Sequence, residues 1–406
     1  MPERTDDTVR TPIKPQRTRN LASDPAWWEQ LPQDFNRRTV HTGLGKNQWL
    51  QVQGLSALEW MARVPLSTAV AAAMAASSLG EAGKTAREFE ALRFYEPLAR
   101  AGDASRVFTP PPKDIRIEEH PMPSTGLKDA PIQRRKLRFA SPFVPLNPAA
   151  VPAFARMQRV GTANAEHWCH GDRPRPTLIV VHGFGADMPW LNAHALSLQA
   201  LYHAGHDILL FTYPHHGPRA EPCTPFNGYG VFGNGLLQFN EASLLAIHDL
   251  RVFIDHLQAR GVEKIGVTGI SLGGYTAALL ASVDARLDYC IPIVPAVSPI
   301  DAFLDWQPTG MLLSSRMASN GVDATEMRGL VAVHNPLTYA SPMAGERVLI
   351  IGGAGDRVTE PHHVELLHRH WPGSTMHWFA GNHLLHFGRR EYLRLMREHI
   401  GRWSGA

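Results

Sequence analysis

Ser271 stands in the run Gly269-Ile270-Ser271-Leu272-Gly273-Gly274, a Gly-x-Ser-x-Gly pattern whose setting matters more than its letters. The apolar run Ile265 to Ile270 delivers the chain as a strand, and Leu272 onward reads as a helix. A serine at such a strand-to-helix turn is held on a strained backbone with its hydroxyl exposed. Gly269 and Gly273, two residues to either side, let strand and helix approach closely. That chemistry is nucleophilic attack, and a serine hydroxyl needs a base to perform it.

Composition does not pick the base, because the chain holds 21 histidines. Position does. His383 lies in Gly381-Asn382-His383, directly after the last expected strand, Thr375 to Phe379, and before a terminal helix from Arg389 to Trp403. Such a loop falls at the C-terminal edge of a parallel sheet, where open α/β folds bind ligands. His386 is its rival, three residues on, unless it faces the following helix. Asp356 closes Gly352-Gly353-Ala354-Gly355-Asp356 after the expected strand Arg347 to Ile351. A carboxylate there would accept the imidazole N–H and stabilise the imidazolium as Ser271 loses its proton. The plainer role is an acid before a helix start at Thr359-Glu360-Pro361, and Asp301 and Asp305 are the fallback acids. The turn His182-Gly183-Phe184-Gly185 follows the β-branched run Thr177 to Val181. Its glycines free the backbone, so that the N–H groups of Phe184 and Leu272 are the expected donors to a developing oxyanion.

The elements that must place these groups alternate. Further strands are expected at Asp207 to Tyr213, Lys264 to Ile270 and Leu287 to Val294, and helices at Trp190 to Ala204, Glu241 to Arg260 and Leu272 to Ser282. That rhythm predicts an α/β fold, a mostly parallel twisted sheet with helices on both faces. Two short stretches, Ile115-Arg116-Ile117 and Lys136 to Phe139, have strand character, and the basic run Gln133 to Arg138 reads as charge on a strand edge. Three regions follow: an irregular arm over residues 1–45, a helical extension over 46–105, and the α/β domain over 106–406 with an insertion at about 298–341. In the arm, Trp27-Trp28 should dock on the protein. In the extension, Phe89, Leu92, Phe94 and Leu98 suggest an apolar face.

Together these residues resemble the α/β-hydrolase superfamily over roughly residues 110–406, in the serine-nucleophile, esterase- and lipase-like branch. The order oxyanion loop, serine elbow, acid, histidine runs His182-Gly183, Ser271, Asp356, His383. The resemblance implies Ser271 as nucleophile, Asp356 as acid, His383 as base, and Phe184 and Leu272 as backbone donors. The supporting loop residues are then His182, Gly183, Gly185, Gly269 and Gly273. Relatives with Asp or Cys at the elbow, such as dehalogenases and dienelactone hydrolases, do other chemistry. Tyr213-Pro214-His215-His216-Gly217-Pro218-Arg219 is similar to the family's Arg-Gly-His-Gly loop but carries two histidines. It either lines the rim of the acyl pocket or is a tight turn with solvated histidines.

The expected activity is hydrolysis of a small-molecule carboxylic ester, with a lipid-like acyl group one option. A peptidase or acyltransferase on the same fold, or a hydrolase-fold protein that only binds, are the alternatives. No cofactor is implied. In His362-His363-Val364-Glu365-Leu366-Leu367-His368 the histidines read as the wet face of an amphipathic helix, with no second ligand cluster, so no metal is expected. Forty Lys and Arg against 37 Asp and Glu give a net charge of +3, no argument for nucleic acid. Three cysteines, Cys169, Cys223 and Cys290, with no Cys-x-x-Cys pair suggest a reducing compartment, and the Pro- and Arg-bearing first 25 residues do not resemble a secretory signal. The longest charge-free apolar run, Leu66 to Leu79, falls short of the ~20 residues of a membrane span. A soluble, cytoplasmic protein is expected, with peripheral membrane contact through the extension left open and oligomeric state unassigned.

Overall fold

The run Thr177-Leu178-Ile179-Val180-Val181 is apolar on both sides, and in the structure its alternate residues enter two different cores. Ile179 and Val181 face one, Leu178 and Val180 the other. The structure is a computed structural model and describes residues 25–35, 40, 42–77, 83–127, 130–233 and 235–405. Nine strands form one open sheet: β1 Glu118–Leu127, β2 Ala130–Ala140, β3 Thr162–Trp168, β4 Thr177–Val181, β5 Asp207–Phe211, β6 Ile265–Ile270, β7 Tyr289–Ile293, β8 Leu349–Gly353 and β9 Thr375–Phe379. Their spatial order is β1-β2-β3-β5-β4-β6-β7-β8-β9. The pairs β1–β2, β2–β3 and β3–β5 are antiparallel, and all pairs from β5–β4 to β8–β9 are parallel. One face is covered by helices Leu236–Ala259 and Leu272–Val283. Helices Pro189–Ala195, Leu198–His203 and Arg389–Ser404 cover the other.

Strand order reverses at β4. The chain leaves β4 for β5 on one side and returns past it to β6 on the other, so the connections part above the C-terminal ends of β4 and β6. Such a switch point opens a crevice in doubly wound sheets, and here it separates the loop after β4 from the turn after β6.

The antiparallel end of the sheet differs most from expectation. Ile115 to Ile117 precede β1 and are not part of it. β1 carries Pro121, Pro123 and an irregularity between Met122 and Thr125, all tolerated because it is the edge strand. β3 had no clear apolar signal because it carries Asn164, Glu166 and His167. The basic run on β2 is internal, with Arg134 paired to Glu166 at 2.6 Å and Arg135 to Glu119 at 2.9 Å. The expected helix from Trp190 to Ala204 is two helices, broken at Ser197 where φ is 52°.

Ahead of the sheet, helices span Lys46–Ser77, Lys84–Leu92, Glu96–Ala101 and Ala104–Val107. Phe89 and Leu92 are buried, but Phe94 is 41% exposed, since Tyr95 and Ala99 fill the inward positions instead. Most of the expected arm lies outside the described residues. Within it, Trp28 is buried under the guanidinium of Arg100, and the Trp27 indole N–H donates to Thr338 Oγ1 at 3.0 Å. Helix Leu236–Ala259 begins five residues before its expected start, because the Glu88 carboxylate accepts the Leu236 N–H at 2.6 Å. Glu241 of that helix accepts the N–H groups of Leu146 and Asn147 and the Tyr95 hydroxyl, tying the extension to the main core.

Arg219 and Asp249 form a fully buried ion pair at 2.7 Å, and Arg219 also donates to the carbonyls of Val160 and Thr212. Removing one member strands a buried charge. Asp249→Ala is therefore expected to lower the unfolding free energy by about 3–5 kcal/mol, read as a shift of the urea midpoint at unchanged slope.

Candidate active site

Ser271 caps the helix that follows β6 with φ 59° and ψ −117°, a left-handed backbone that a side chain rarely adopts. Close packing holds it there. A Cβ on Gly273 would lie 2.0 Å from the Val181 carbonyl oxygen, and one on Gly269 would lie 2.4 Å from the Gly273 carbonyl. Strand and helix can meet this closely only because both positions are glycine. The Ser271 N–H donates to the Ile293 carbonyl at 2.9 Å, which ties the turn to the end of β7.

Asp356 and His383 meet after β8 and β9. The Asp356 carboxylate, 1% exposed, divides its work. Oδ1 accepts the N–H groups of Val358 at 2.9 Å and Thr359 at 2.7 Å, and Oδ2 accepts His383 Nδ1–H at 2.8 Å. Asp356 is not a helix N-terminal acid: helix Pro361–His370 is preceded by Glu360, and the N–H groups that Asp356 accepts belong to the loop before it. Because the carboxylate accepts, Nδ1 carries the proton and Nε2 is left to take one. Burial alone would lower the His383 pKa. The charge and hydrogen bond of Asp356, with the charge of Glu59, outweigh burial and hold the imidazole above its ordinary range.

Backbone bonds join the two loops, Ala354 N–H to the Phe379 carbonyl and Gly355 N–H to the Gly381 carbonyl. Thr359, which no local pattern marks, links this pair to the end of β7. Its hydroxyl lies 3.0 Å from Asp356 Oδ2, 3.2 Å from His383 Nδ1 and 3.1 Å from the carbonyl of Val294, the residue after β7. The alternatives are engaged elsewhere. His386 bonds Tyr392 Oη and the His383 carbonyl, Asp301 is held by Arg328, and Asp305 pairs with Arg63.

The loop after β4 lies against the elbow: a Cβ at Gly183 would sit 3.6 Å from the Ser271 Cβ. His182 Nδ1–H donates to the Gly183 carbonyl at 2.7 Å, and His182 Nε2 accepts the Tyr213 N–H at 3.1 Å. On the far side of Phe184, His216 Nε2 accepts the Gly185 N–H at 3.1 Å, while Asn227 donates to the Gly185 carbonyl. Phe184 is therefore bracketed by fixed points. Leu272 opens a helix, whose first N–H groups have no intrahelical acceptor.

His215 and His216 are not solvated, as the tight-turn reading had them. Both are buried, and burial pushes His215 down to about 3 and His216 well below its ordinary range. His216 Nδ1–H donates to the Pro214 carbonyl, so both of its nitrogens are occupied in fixing the loop after β4. His362 and His363 are likewise buried, against Phe35, and not on a wet helix face. His363 Nδ1 accepts the Ser298 N–H at 3.0 Å. Among the described residues no group of three or more His, Cys, Asp or Glu could hold a metal ion, and no helix is long and apolar enough to cross a membrane.

Sheet order and elbow define the α/β-hydrolase fold, open and not closed. A crystal structure of acetyl xylan esterase 1 from Thermoanaerobacterium sp. JW/SL YS485 shares it at a TM-score of 0.53 and 16% identity, covering 78% of this chain and 94% of that one. Within this fold class, residues 113–315, half of the chain, match the family described as alpha/beta hydrolase domain containing 18, and the protein belongs to that family. Uncharacterized proteins of Mycobacterium tuberculosis strains CDC 1551 / Oshkosh and H37Rv are each 29% identical to it over 227 residues, 55% of this chain. The chain spans 53% of the length of these curated relatives.

Proposed function

We propose that the protein is a serine hydrolase that cleaves a carboxylic ester through an acyl-enzyme on Ser271. The observation that carries this reading is the 2.8 Å bond from His383 Nδ1–H to a buried Asp356, in a chain that also holds Ser271 in the strained elbow conformation. Neutral His383 takes the Ser271 proton at Nε2 as Oγ attacks the acyl carbonyl. The N–H groups of Phe184 and Leu272 receive the negative charge on the carbonyl oxygen, each worth about 2.7–4 kcal/mol in comparable sites. Collapse of the tetrahedral adduct breaks the ester C–O bond, and the alcohol leaves with the proton from His383. Water then gives a proton to the same nitrogen as it attacks the acyl carbon; collapse of this second adduct breaks the bond to Ser271 Oγ, which takes the proton back from His383, and the acid leaves.

An apolar acyl group suits the surroundings. Phe184 packs with Phe232 at 5.1 Å between ring centroids, Phe232 with Phe303 at 5.0 Å, and Phe303 with Trp306 at 5.7 Å, an aromatic chain from the oxyanion loop to the insertion. A reducing, cytoplasmic setting fits the three free cysteines. An ester series of graded acyl length tests the substrate class: kcat/KM is expected to rise from acetyl to longer chains, and hydrolysis of none of them would reject ester cleavage.

The pH profile has a defined sign. His383 must be neutral to accept the proton, and its pKa lies above the ordinary ~6.5 of imidazole. The acid limb of kcat/KM is accordingly expected above that value, activity falling as pH drops through it. A profile flat from pH ~5 to ~8 would contradict the assignment of the base.

A further inference from the structure

The long helix Lys46–Ser77 buries Val52, Ser56, Glu59, Arg63, Ser67, Val70 and Met74, spaced three or four residues apart on one face. The middle of that face is polar, and it meets the acid loop. Ser56 Oγ–H is placed 2.8 Å from the Gly355 carbonyl, and Arg63 donates to the Arg357 carbonyl at 2.5 Å and to Asp305 at 2.8 Å. A Cβ on Gly355 would come within 2.8 Å of Ser56 Oγ and 2.9 Å of the Val52 side chain. Backbone groups on both sides of Asp356 are therefore held from this helix.

We propose that Glu59 is a positioning residue of the triad, its carboxylate clamping the loop of Asp356 to the loop of His383 and presenting its charge to their ion pair. The inference rests on the serine-hydrolase reading above. One carboxylate oxygen, Oε2, accepts the Arg357 N–H at 2.6 Å, directly after Asp356. The other, Oε1, accepts the Leu384 N–H at 3.0 Å, directly after His383. Two N–H donors on two oxygens of one side chain favour the ionised form, because hydrogen bonds to a charged oxygen are stronger than those to a neutral one. Burial of Glu59 and the negative charge of Asp356 oppose ionisation and push its pKa up to about 7, against His383 and the two N–H bonds. Other charged or titratable groups on the elements packed here are Arg63 on its own helix, paired with Asp305 from the insertion, Arg357 and Glu360 from the acid loop, and His386 beyond His383. In turn, the Glu59 charge favours the protonated His383 that forms as Ser271 attacks.

The test compares Glu59→Gln and Glu59→Asp with wild type in kcat, KM and pH profile. Gln keeps the shape but opposes an amide N–H to one of the two backbone donors and removes the charge. It is expected to lower kcat roughly 10²-fold at unchanged KM, a loss typical of misplaced catalytic groups, and to move the acid limb of kcat/KM to lower pH. Asp keeps the charge but is shorter by one C–C bond, about 1.5 Å. It is expected to lose kcat while its acid limb stays with wild type. A Gln variant with wild-type kcat and wild-type acid limb overturns the proposal. Should Gln not fold, the Asp variant is read alone, and an undiminished kcat overturns it. Fluorophosphonate labelling of wild-type Ser271, run alongside, separates the two levels. No label removes the serine-hydrolase reading itself, whereas a labelled wild type with an indifferent Glu59→Gln removes only the role of Glu59.

Discussion

Ser271→Ala is expected to reduce kcat on ester substrates by about a millionfold, the loss seen when a triad serine is removed, while the thermal unfolding midpoint stays within about 2 °C of wild type. The side chain makes no capping bond to the helix it precedes, and the backbone there is held by the Ser271 N–H to Ile293 and by the glycine contacts on either side. Alanine suffers the same strain at φ 59° as serine, so the fold has little to lose. Initial rates on a short p-nitrophenyl ester, with a melting curve of the same preparation, read both quantities. A variant that keeps near wild-type turnover would place the nucleophile elsewhere.

Asp356→Asn is expected to lower kcat by about 10⁴, the scale set by the same change in a serine protease. Unlike the serine variant, it should also cost about 1–3 kcal/mol of stability. Both losses follow from the divided carboxylate. An amide has one oxygen to offer. If that oxygen stays with Val358 and Thr359, the NH₂ group faces His383 Nδ1 and forces the proton onto Nε2, the nitrogen that in the proposed mechanism receives the one from Ser271. With the amide reversed, the imidazole keeps its tautomer and two buried N–H groups lose their acceptor. Turnover and urea unfolding measured on one preparation report the two effects, and a kcat within tenfold of wild type would remove Asp356 from the mechanism.

The parallel half of the fold was readable because its strands are short, apolar and β-branched, buried on both faces, and punctuated by glycine or proline. The elbow was legible for the same reason: Gly269, Ser271 and Gly273 sit where a strand pattern gives way to a helix pattern. The antiparallel end was obscured by charge. β3 buries Glu166 because Arg134 on the neighbouring strand meets it and the Trp168 indole N–H donates to it, and a pairing across strands leaves no local trace. Tertiary capping hid the start of helix Leu236–Ala259 in the same way, since Glu88 lies 148 residues before the N–H it accepts.

Histidines carry little local sign of their burial. His215, His216, His362 and His363 have the sequence neighbours of solvated side chains, yet each is buried with hydrogen-bonded or aromatic neighbours supplied by distant segments. Glu59 leaves no mark in the sequence for a related reason. In a helix, a buried polar stripe and a solvated one share the same spacing, and only the loops packed on Ser56, Glu59 and Arg63 tell them apart.

Phosphonylation bears most directly on whether residue 271 is a nucleophile activated by the imidazole at 383. Wild-type protein treated with an alkyl fluorophosphonate and digested for mass spectrometry should carry one adduct per chain, on the peptide containing Ser271, and His383→Ala should slow its formation by orders of magnitude. An unmodified Ser271 peptide in active protein, or labelling that proceeds as fast without the histidine, would contradict the account.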